Sequence, residues 1–167
     1  SAHFEPILEV INLTKMHGAG CLAHEWGHAF DYFLAAQVND EETFASGTHK
    51  SSLYPSVFCD LMNAMLRKED RTITDFYTAS CKFDKVYRKS GHGYWSSRCE
   101  MFARAFDCYM ADRLAERGWR NDYLTSNADS FTLVADDGMT YRAYPCGRER
   151  ERLNGLFDKL FEKMRAK

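Results

Sequence analysis

The sequence predicts an α+β fold that is mostly helical. Apolar residues recur at three-to-four spacing in several long segments, which is typical of helices that bury one face. A β-branched run at residues 7–13 and an Asp-Gly turn at Asp137-Gly138, flanked by alternating segments, indicate a small amount of strand. The expected order is therefore an N-terminal strand, a series of helices, a late β-hairpin and a last helix.

Composition places residues 1–167 in a single domain. With 45% hydrophobic and 14% aromatic residues over 167 positions, the chain can bury one ordinary core. Its net charge of −2 gives no general attraction to nucleic acid or to an anionic membrane. The apolar runs are too short to cross a bilayer. We therefore expect neither a membrane nor a nucleic-acid partner for this domain.

The six cysteines are scattered and form no Cys-x-x-Cys pair. In a domain of this size, that spacing favours free thiols in a reducing compartment over a disulfide framework. We therefore expect a cytoplasmic protein. The chain begins with Ser1-Ala2 rather than with Met, so we expect the domain to be excised from a larger natural protein.

The first predicted element is a strand within residues 4–14, because its β-branched run is too short for a buried helix. The edge of this strand could hold an extended peptide, although a purely structural strand is an equal alternative. A Gly-containing loop then leads into a helix over residues 20–36. Residues 38–51 are polar and predict a surface loop or flap, in which His49 is expected to be a solvated histidine.

The rest of the chain predicts four more helices and one hairpin. Apolar spacing indicates the helices, and a turn with paired glycines is expected at residues 90–93 between the second and third of them. The segment 118–127 is expected to be irregular. The predicted helices cover residues 55–66, 74–89, 100–117 and 148 onward, and the predicted hairpin pairs residues 131–135 with 139–144.

The motif His24-Glu25-Trp26-Gly27-His28 lies inside the first predicted helix. Positions i and i+4 share one helix face, so both imidazoles can reach one metal ion while Glu25 stands beside it to take a proton from water. The flanking residues are mostly apolar, and unpaired polar groups in such a setting cost several kcal/mol. The motif therefore predicts a zincin-like domain; the alternative is a helix with two surface histidines and a solvated glutamate.

A hydrolytic zinc site usually takes three protein ligands, and the motif supplies two. No third histidine follows at the spacing of the extended motifs, because Leu34 stands there. Glu100 is our candidate, since it opens a second apolar helix. Ser97 and Glu100 also fit a capping box, in which the glutamate only bonds the N-cap amide. His92, in the preceding loop, is the rival ligand.

Several runs resemble the first large polyvalent protein-associated domain of phages and mobile elements. The resemblance spans residues 3–160 and rests on residues 4–6 (FEP), 10–16 (VINLTKM), 18–20 (GAG), 23–31 (AHEWGHAFD), 94–96 (YWS), 100–106 (EMFARAF) and 121–124 (NDYL). Members of that family are usually modules of very large multidomain proteins carried with phage or plasmid DNA. The resemblance therefore implies a metallopeptidase-like role, other domains of a larger polyprotein as partners, and delivery into a bacterial host.

Further candidate residues surround the predicted metal. Asp31 or Asp107 could accept the second ring N–H of a ligating histidine. Glutamate-type zinc peptidases place an Asp four residues after the ligand glutamate, but here Arg104 stands there and could anchor Glu100 or a substrate carbonyl. A developing oxyanion needs a Tyr or His donor. The candidates for that donor are Tyr94, Tyr144 and His92.

The sequence thus predicts a zinc-dependent hydrolase, in the first place a peptidase. His24, His28 and Glu100 are expected to hold Zn²⁺, and Glu25 is expected to act as the general base on water. The expected substrate is a protein or peptide. The alternative is a non-catalytic, metal-stabilised binding module of a phage or mobile-element protein that acts on host protein or DNA. An effector that cuts one host protein would be a narrow case of the first prediction.

Overall fold

A computed structural model describes residues 2–13, 18–35, 44–48, 51, 53–87 and 93–166. In these residues the chain is α+β and mostly helical, as predicted. The six described helices are α1 (Leu22–Leu34), α2 (Ala45–Thr48), α3 (Pro55–Leu66), α4 (Asp75–Tyr87), α5 (Arg98–Glu116) and α6 (Gly147–Arg165). The four described strands are β1 (His3–Glu5), β2 (Val10–Asn12), β3 (Thr132–Val134) and β4 (Thr140–Arg142).

Helix α5 is the centre of the fold. Every residue from Met101 to Tyr109 is buried, so this helix is covered on all sides rather than along one stripe. Helices α1, α3 and α6 pack against it and share one aromatic core. Within that core, the Phe106 ring lies 5.6 Å from the Phe30 ring of α1 and 5.8 Å from the Phe157 ring of α6. The long apolar stripes predicted from sequence therefore converge on α5.

The N-terminus of α1 is held by a distant segment. The first N–H groups of a helix lack intrahelical partners, and here the Ala23 N–H donates to the Leu124 carbonyl at 2.9 Å. Just before the helix, the Gly20 N–H donates to the Tyr123 carbonyl at 2.8 Å. Gly20 has φ +80, and a Cβ there would lie 1.8 Å from the Ser126 hydroxyl oxygen. Only glycine therefore fits at this contact.

The predicted N-terminal strand is wrong in detail, because the segment forms a hairpin. Strands β1 and β2 pair antiparallel, with Phe4 opposite Ile11. Pro6 has no N–H to donate to a ladder, and it opens a turn that the Glu9 N–H closes onto the Pro6 carbonyl at 3.2 Å. Ile7 and Leu8 lie in this turn and are exposed. These two apolar residues therefore lie in an exposed turn and not in the middle of a strand, as their side chains had indicated.

The predicted surface loop at residues 38–51 is also partly wrong. Its described part contains the short helix α2, and Ala45, Ser46 and Ser51 are buried. The reason is that polar side chains there bond to α1: the Ser51 hydroxyl donates to the Leu34 carbonyl at 2.7 Å. His49 lies outside the described residues.

The other predicted elements are confirmed within one to three residues at their ends. Helices α3, α4, α5 and α6 all lie in the segments where the apolar spacing predicts helices. Strands β3 and β4 pair around the Asp-Gly turn, with Gly138 at φ +75 and Leu133 opposite Tyr141. Among the described residues, no helix is both long and apolar enough to cross a lipid bilayer.

Candidate metal centre

The structure brings His24, His28 and Glu100 together. The His24 Nε2 lies 3.3 Å from Glu100 Oε2, and the His28 Nε2 lies 3.5 Å from Glu100 Oε1. The two Nε2 atoms are 3.2 Å apart. Within the described part of the chain, this is the group of His, Cys, Asp and Glu side chains whose ligand atoms are close enough to share a metal ion.

These separations match a tetrahedral metal. Zinc binds imidazole nitrogen and carboxylate oxygen at about 2.0–2.1 Å, so two ligand atoms of a tetrahedral site are about 3.3 Å apart. The three observed distances lie between 3.2 and 3.5 Å. The donor set, two imidazoles and one carboxylate, is one that catalytic zinc sites use. The three residues therefore fit Zn²⁺ as two imidazole ligands and one carboxylate ligand, with each histidine facing a different oxygen of Glu100.

A glycine contact allows the two helices to place these ligands. Gly27 lies on α1 between the two histidines, and a Cβ there would be 2.8 Å from the Cα of Ala103 and 3.3 Å from its Cβ. Any side chain at position 27 would push the helices apart. Because Ala103 lies three residues after Glu100 on α5, this close approach sets the distance between the histidine face and the carboxylate.

The capping-box alternative for Glu100 is not observed. Ser97 is the N-cap residue of α5, but its side chain makes no cap hydrogen bond. Its hydroxyl donates instead to the Tyr94 carbonyl at 2.7 Å, and its N–H donates to the same carbonyl. The Glu100 carboxylate faces the two histidines rather than the N-cap amide.

The charges of the three groups are coupled. Burial works against protonation of His28, but the hydrogen bond and charge of Glu100 outweigh it, so the pKa of His28 is raised. For Glu100, burial alone would raise the pKa, but hydrogen bonds from His24 and His28 hold it well below its usual range. An ionised carboxylate is the form that binds a metal.

Asp107 is a buried carboxylate that is close enough to His24 for the two charges to influence each other. The His24 Nδ1 and both Asp107 carboxylate oxygens are buried, and none of these atoms has a well-aligned hydrogen-bond partner among the described residues. Burial raises the pKa of Asp107 to about 6, although the Thr125 hydroxyl, the charge of His24, the Tyr144 hydroxyl and Arg150 lower it. The charge of Asp107 and that of His24 therefore act on each other, and no hydrogen bond between the two side chains is observed. A carboxylate that orients a metal-binding histidine usually accepts its second ring N–H, so this role of Asp107 stays a prediction.

Asp31 has a different set of contacts. Its Oδ1 accepts from the Ser46 N–H at 2.8 Å, and its Oδ2 accepts from the Ser46 hydroxyl. The carboxylate thereby ties α2 to α1. Burial raises the pKa of Asp31 to about 7, and the Ser46 hydrogen bonds and the charge of His28 oppose that rise. Its influence on His28 is therefore through charge.

Arg104 donates hydrogen bonds to main-chain carbonyls beside the site, and its predicted contact with a substrate carbonyl stays a prediction. It is 2% exposed, and its guanidinium donates to the main-chain carbonyls of Trp95 and Ala143. Its Nε donates to the Glu100 carbonyl at 3.2 Å. Burial lowers the pKa of Arg104 to about 10. Of its two predicted roles, the anchoring of Glu100 is seen, through the backbone and not through the carboxylate.

The metal centre opens into a cavity of about 350 Å³. Glu25, only 6% exposed, lines it together with His24, Glu100, Tyr94 and Tyr144. The Tyr94 hydroxyl bonds to the Glu100 side chain, and its pKa is raised by burial and by the charge of Glu100. Burial and Asp107 likewise raise the pKa of Tyr144. Both predicted tyrosine candidates thus reach the site as protonated donors, whereas His92 lies outside the described residues.

Comparison with known families gives a match in the second half of the chain. Residues 86–167 match large polyvalent protein-associated domain 1. The matched part contains Glu100, Arg104, Asp107 and both tyrosine candidates. The helix with His24 and His28 precedes it, so the resemblance traced over residues 3–160 has this support only after residue 85. No curated protein and no solved structure matches the chain.

Just before the part that matches large polyvalent protein-associated domain 1, Asp84 supports the site, although the sequence analysis did not indicate this residue. Its carboxylate accepts the N–H groups of Tyr94, Trp95 and Ser96 at 2.7–2.9 Å. Burial would raise the pKa of Asp84, but these hydrogen bonds hold it below its usual value. A Cβ at Gly93 would lie 2.8 Å from the Asp84 carboxylate. Asp84 therefore fixes the loop that carries Tyr94 into the cavity.

Proposed function

We propose that this chain is a zinc-dependent hydrolase, and specifically a peptidase of zincin-like architecture. His24, His28 and Glu100 would hold Zn²⁺, with Glu25 as general base. The observation that carries the proposal is that the two imidazole nitrogens lie 3.2 Å apart and each faces one oxygen of Glu100, at 3.3 and 3.5 Å, on the wall of a cavity that Glu25 also lines. Ligand atoms of a tetrahedral zinc site are about 3.3 Å apart.

The chemistry divides between the ion and the chain. Bound Zn²⁺ would lower the pKa of its water toward about 7 and polarise the scissile carbonyl. Glu25 follows His24 directly on α1 and faces the cavity, so its carboxylate can take the proton of an attacking water and return it to the leaving amine. The Tyr94 and Tyr144 hydroxyls remain protonated at neutral pH and can donate to the oxygen that gains charge.

The family match supports a proposal about the setting of the domain. Large polyvalent protein-associated domain 1 is named for its occurrence in large polyvalent proteins. We propose that this chain likewise functions beside other domains of a larger protein, in the cytoplasm of a bacterial host that received it with phage or plasmid DNA. Its substrate would then be a host protein or a neighbouring segment of the same polyprotein.

A second function is favoured by the position of the ligands. His24 and His28 lie on α1 and Glu100 on α5, so a metal there would also join the two helices that pack most extensively. Metal binding to a folded state is itself folding free energy. A non-catalytic module that docks host protein or DNA would need the metal only to hold α1 and α5 together.

The two functions are separated by Glu25→Gln. Elemental analysis of protein purified without added metal should show about one Zn²⁺ per chain. A peptide library digested by wild-type protein should yield cleavage products, and Glu25→Gln should lose nearly all turnover while it keeps zinc. Glu151→Gln on the exposed face of α6 is the matched control. Full zinc with no cleavage by the wild type would favour the binding module, and folded protein without a transition metal would refute both.

A further inference from the structure

An aromatic wall stands beside the metal centre. It consists of Tyr94, Trp95 and Phe131, and all three line the same cavity as His24 and Glu100. The Trp95 ring lies 5.8 Å from the Tyr94 ring and 6.2 Å from the Phe131 ring. Phe131 is 46% exposed and Tyr94 36% exposed. The wall is thus continuous with the metal site and open to an incoming ligand.

The wall is rigidly built. The Trp95 N–H donates to Asp84, and the Trp95 carbonyl accepts from the buried Arg104 guanidinium. Its ring also contacts Phe83 at 4.8 Å. The Phe131 carbonyl accepts the Ala143 N–H at 3.0 Å, which ties Phe131 to the β3–β4 hairpin. Little ordering entropy is therefore lost when a ligand packs on this surface.

The charges of the cavity disfavour an acidic ligand group at the wall. Among the described lining residues, the charged ones are Glu25, Glu100 and Arg104. Glu100 pairs with the histidines, and Arg104 donates to main-chain carbonyls. The polar Asn127 side chain is likewise held, since it donates to the Gly20 carbonyl. An acidic group placed here would lose water and face two carboxylates, because the Arg104 guanidinium is already occupied, whereas a large apolar group would be buried.

We infer that the aromatic wall is the subsite for a large apolar side chain, aromatic foremost, of a peptide next to the scissile bond. The inference rests on the proposed peptidase function, which supplies the peptide. The cavity of about 350 Å³ accommodates one such side chain together with main chain at the metal. Stacking on Trp95 and Phe131 discriminates aromatic residues from small and from acidic ones.

Binding without turnover provides the direct test. Glu25→Gln protein is titrated by NMR with three blocked tripeptides: acetyl-Gly-Phe-Gly-amide, acetyl-Gly-Ala-Gly-amide and acetyl-Gly-Asp-Gly-amide. The Phe peptide should bind at least about fivefold more tightly than the other two. Adding Phe131→Ala to the Glu25→Gln protein should lower its affinity for the Phe peptide about tenfold. Val134 is an exposed apolar residue on the same hairpin, and Val134→Ala should alter the affinity for the Phe peptide less than about twofold. Equal affinity for the three peptides, or no effect of Phe131→Ala, would overturn the inference.

Cleavage mapping separates this inference from the proposed function. Wild-type protein should cut a peptide library with an apolar preference on one side of the scissile bond, and Phe131→Ala should flatten that preference. Cleavage with no such preference would overturn the subsite and leave the peptidase standing. Selective binding without any cleavage would overturn the peptidase and leave the subsite standing.

Discussion

Gly27 of α1 touches Ala103 of α5 so closely that a Cβ on Gly27 would lie 2.8 Å from the Ala103 Cα. This contact lies between the two histidines on one helix and beside the glutamate on the other. It therefore controls the distance across the metal centre, and it gives the glycine of the motif a reason in packing rather than in backbone conformation.

Gly27→Ala should damage both the fold and the site. The added methyl group meets main chain, so we expect the free energy of unfolding to fall by roughly 1–3 kcal/mol. Zinc affinity should fall roughly tenfold or more, because sites of this kind tolerate ligand shifts of only about 0.5 Å. Chemical denaturation and competition with a zinc chelator measure the two effects.

Gly155→Ala is the matched control for that change. Gly155 lies inside α6, and a Cβ there meets nothing within 4 Å. Alanine should therefore raise helix stability by up to about 1 kcal/mol and leave zinc affinity unchanged. A Gly27→Ala protein that behaved like Gly155→Ala would show that the α1–α5 distance does not set the site.

Glu100→Ala should weaken zinc binding by well over tenfold, because it removes an anionic ligand. Glu116→Ala at the exposed C-terminal end of the same helix breaks an i,i+3 pair with Arg113 and should leave zinc affinity unchanged. His92→Ala should also have little effect. If His92→Ala were the more damaging of the two site variants, the third ligand would have been assigned to the wrong residue.

Asp107→Asn should lower zinc affinity by roughly 10- to 100-fold while the metal-free protein stays folded. The reason is that an amide orients the His24 ring less strongly than a carboxylate does. Asp31→Ala, made in parallel, tests the other carboxylate that the sequence offers for this role; an orienting Asp31 would give a loss of the same size. Because Asp31 bonds to Ser46, a loss confined to Asp107→Asn is the result that the structure favours. Unchanged zinc affinity in the Asp107 variant would leave His24 without its expected orienting partner.

Asp31 should make the stability of the metal-free protein depend on pH. Burial raises the pKa of Asp31 from its ordinary value of 3.8 to about 7. The folded state therefore binds the proton more tightly than the unfolded state does, and this contribution is present at pH 4 and lost as the pH rises to 7. Relative to Asp31→Asn, the wild type should lose at most roughly 1.4 kcal/mol per pH unit across that window. Denaturation of both proteins at several pH values measures this, and a wild type that gained stability over the window would contradict it.

Much of the molecule could be predicted from the sequence because it depends on local order. The spacing of His24 and His28 places both on one face of a helix whatever surrounds it. Apolar periodicity located α3 to α6, and the Asp-Gly turn located the β3–β4 hairpin. Glu100 was a candidate because the motif lacked a ligand and Glu100 opens an apolar helix. Each of these inferences used only the neighbours of a residue along the chain.

Tertiary structure decided what the residues face. Periodicity shows that α5 is buried, but it does not show which partner each aspartate has. Asp31 bonds to Ser46, whereas Asp107 and His24 influence each other through their charges. The N-terminal segment has strand character throughout, and only Pro6 and the packing against α1 turn it into a hairpin. The hydrogen bonds of Asp84 and the wall of Trp95 and Phe131 join segments 10 to 36 residues apart. Such contacts depend on the approach of α1 to α5 and of α4 to the loop before α5, which no local pattern records.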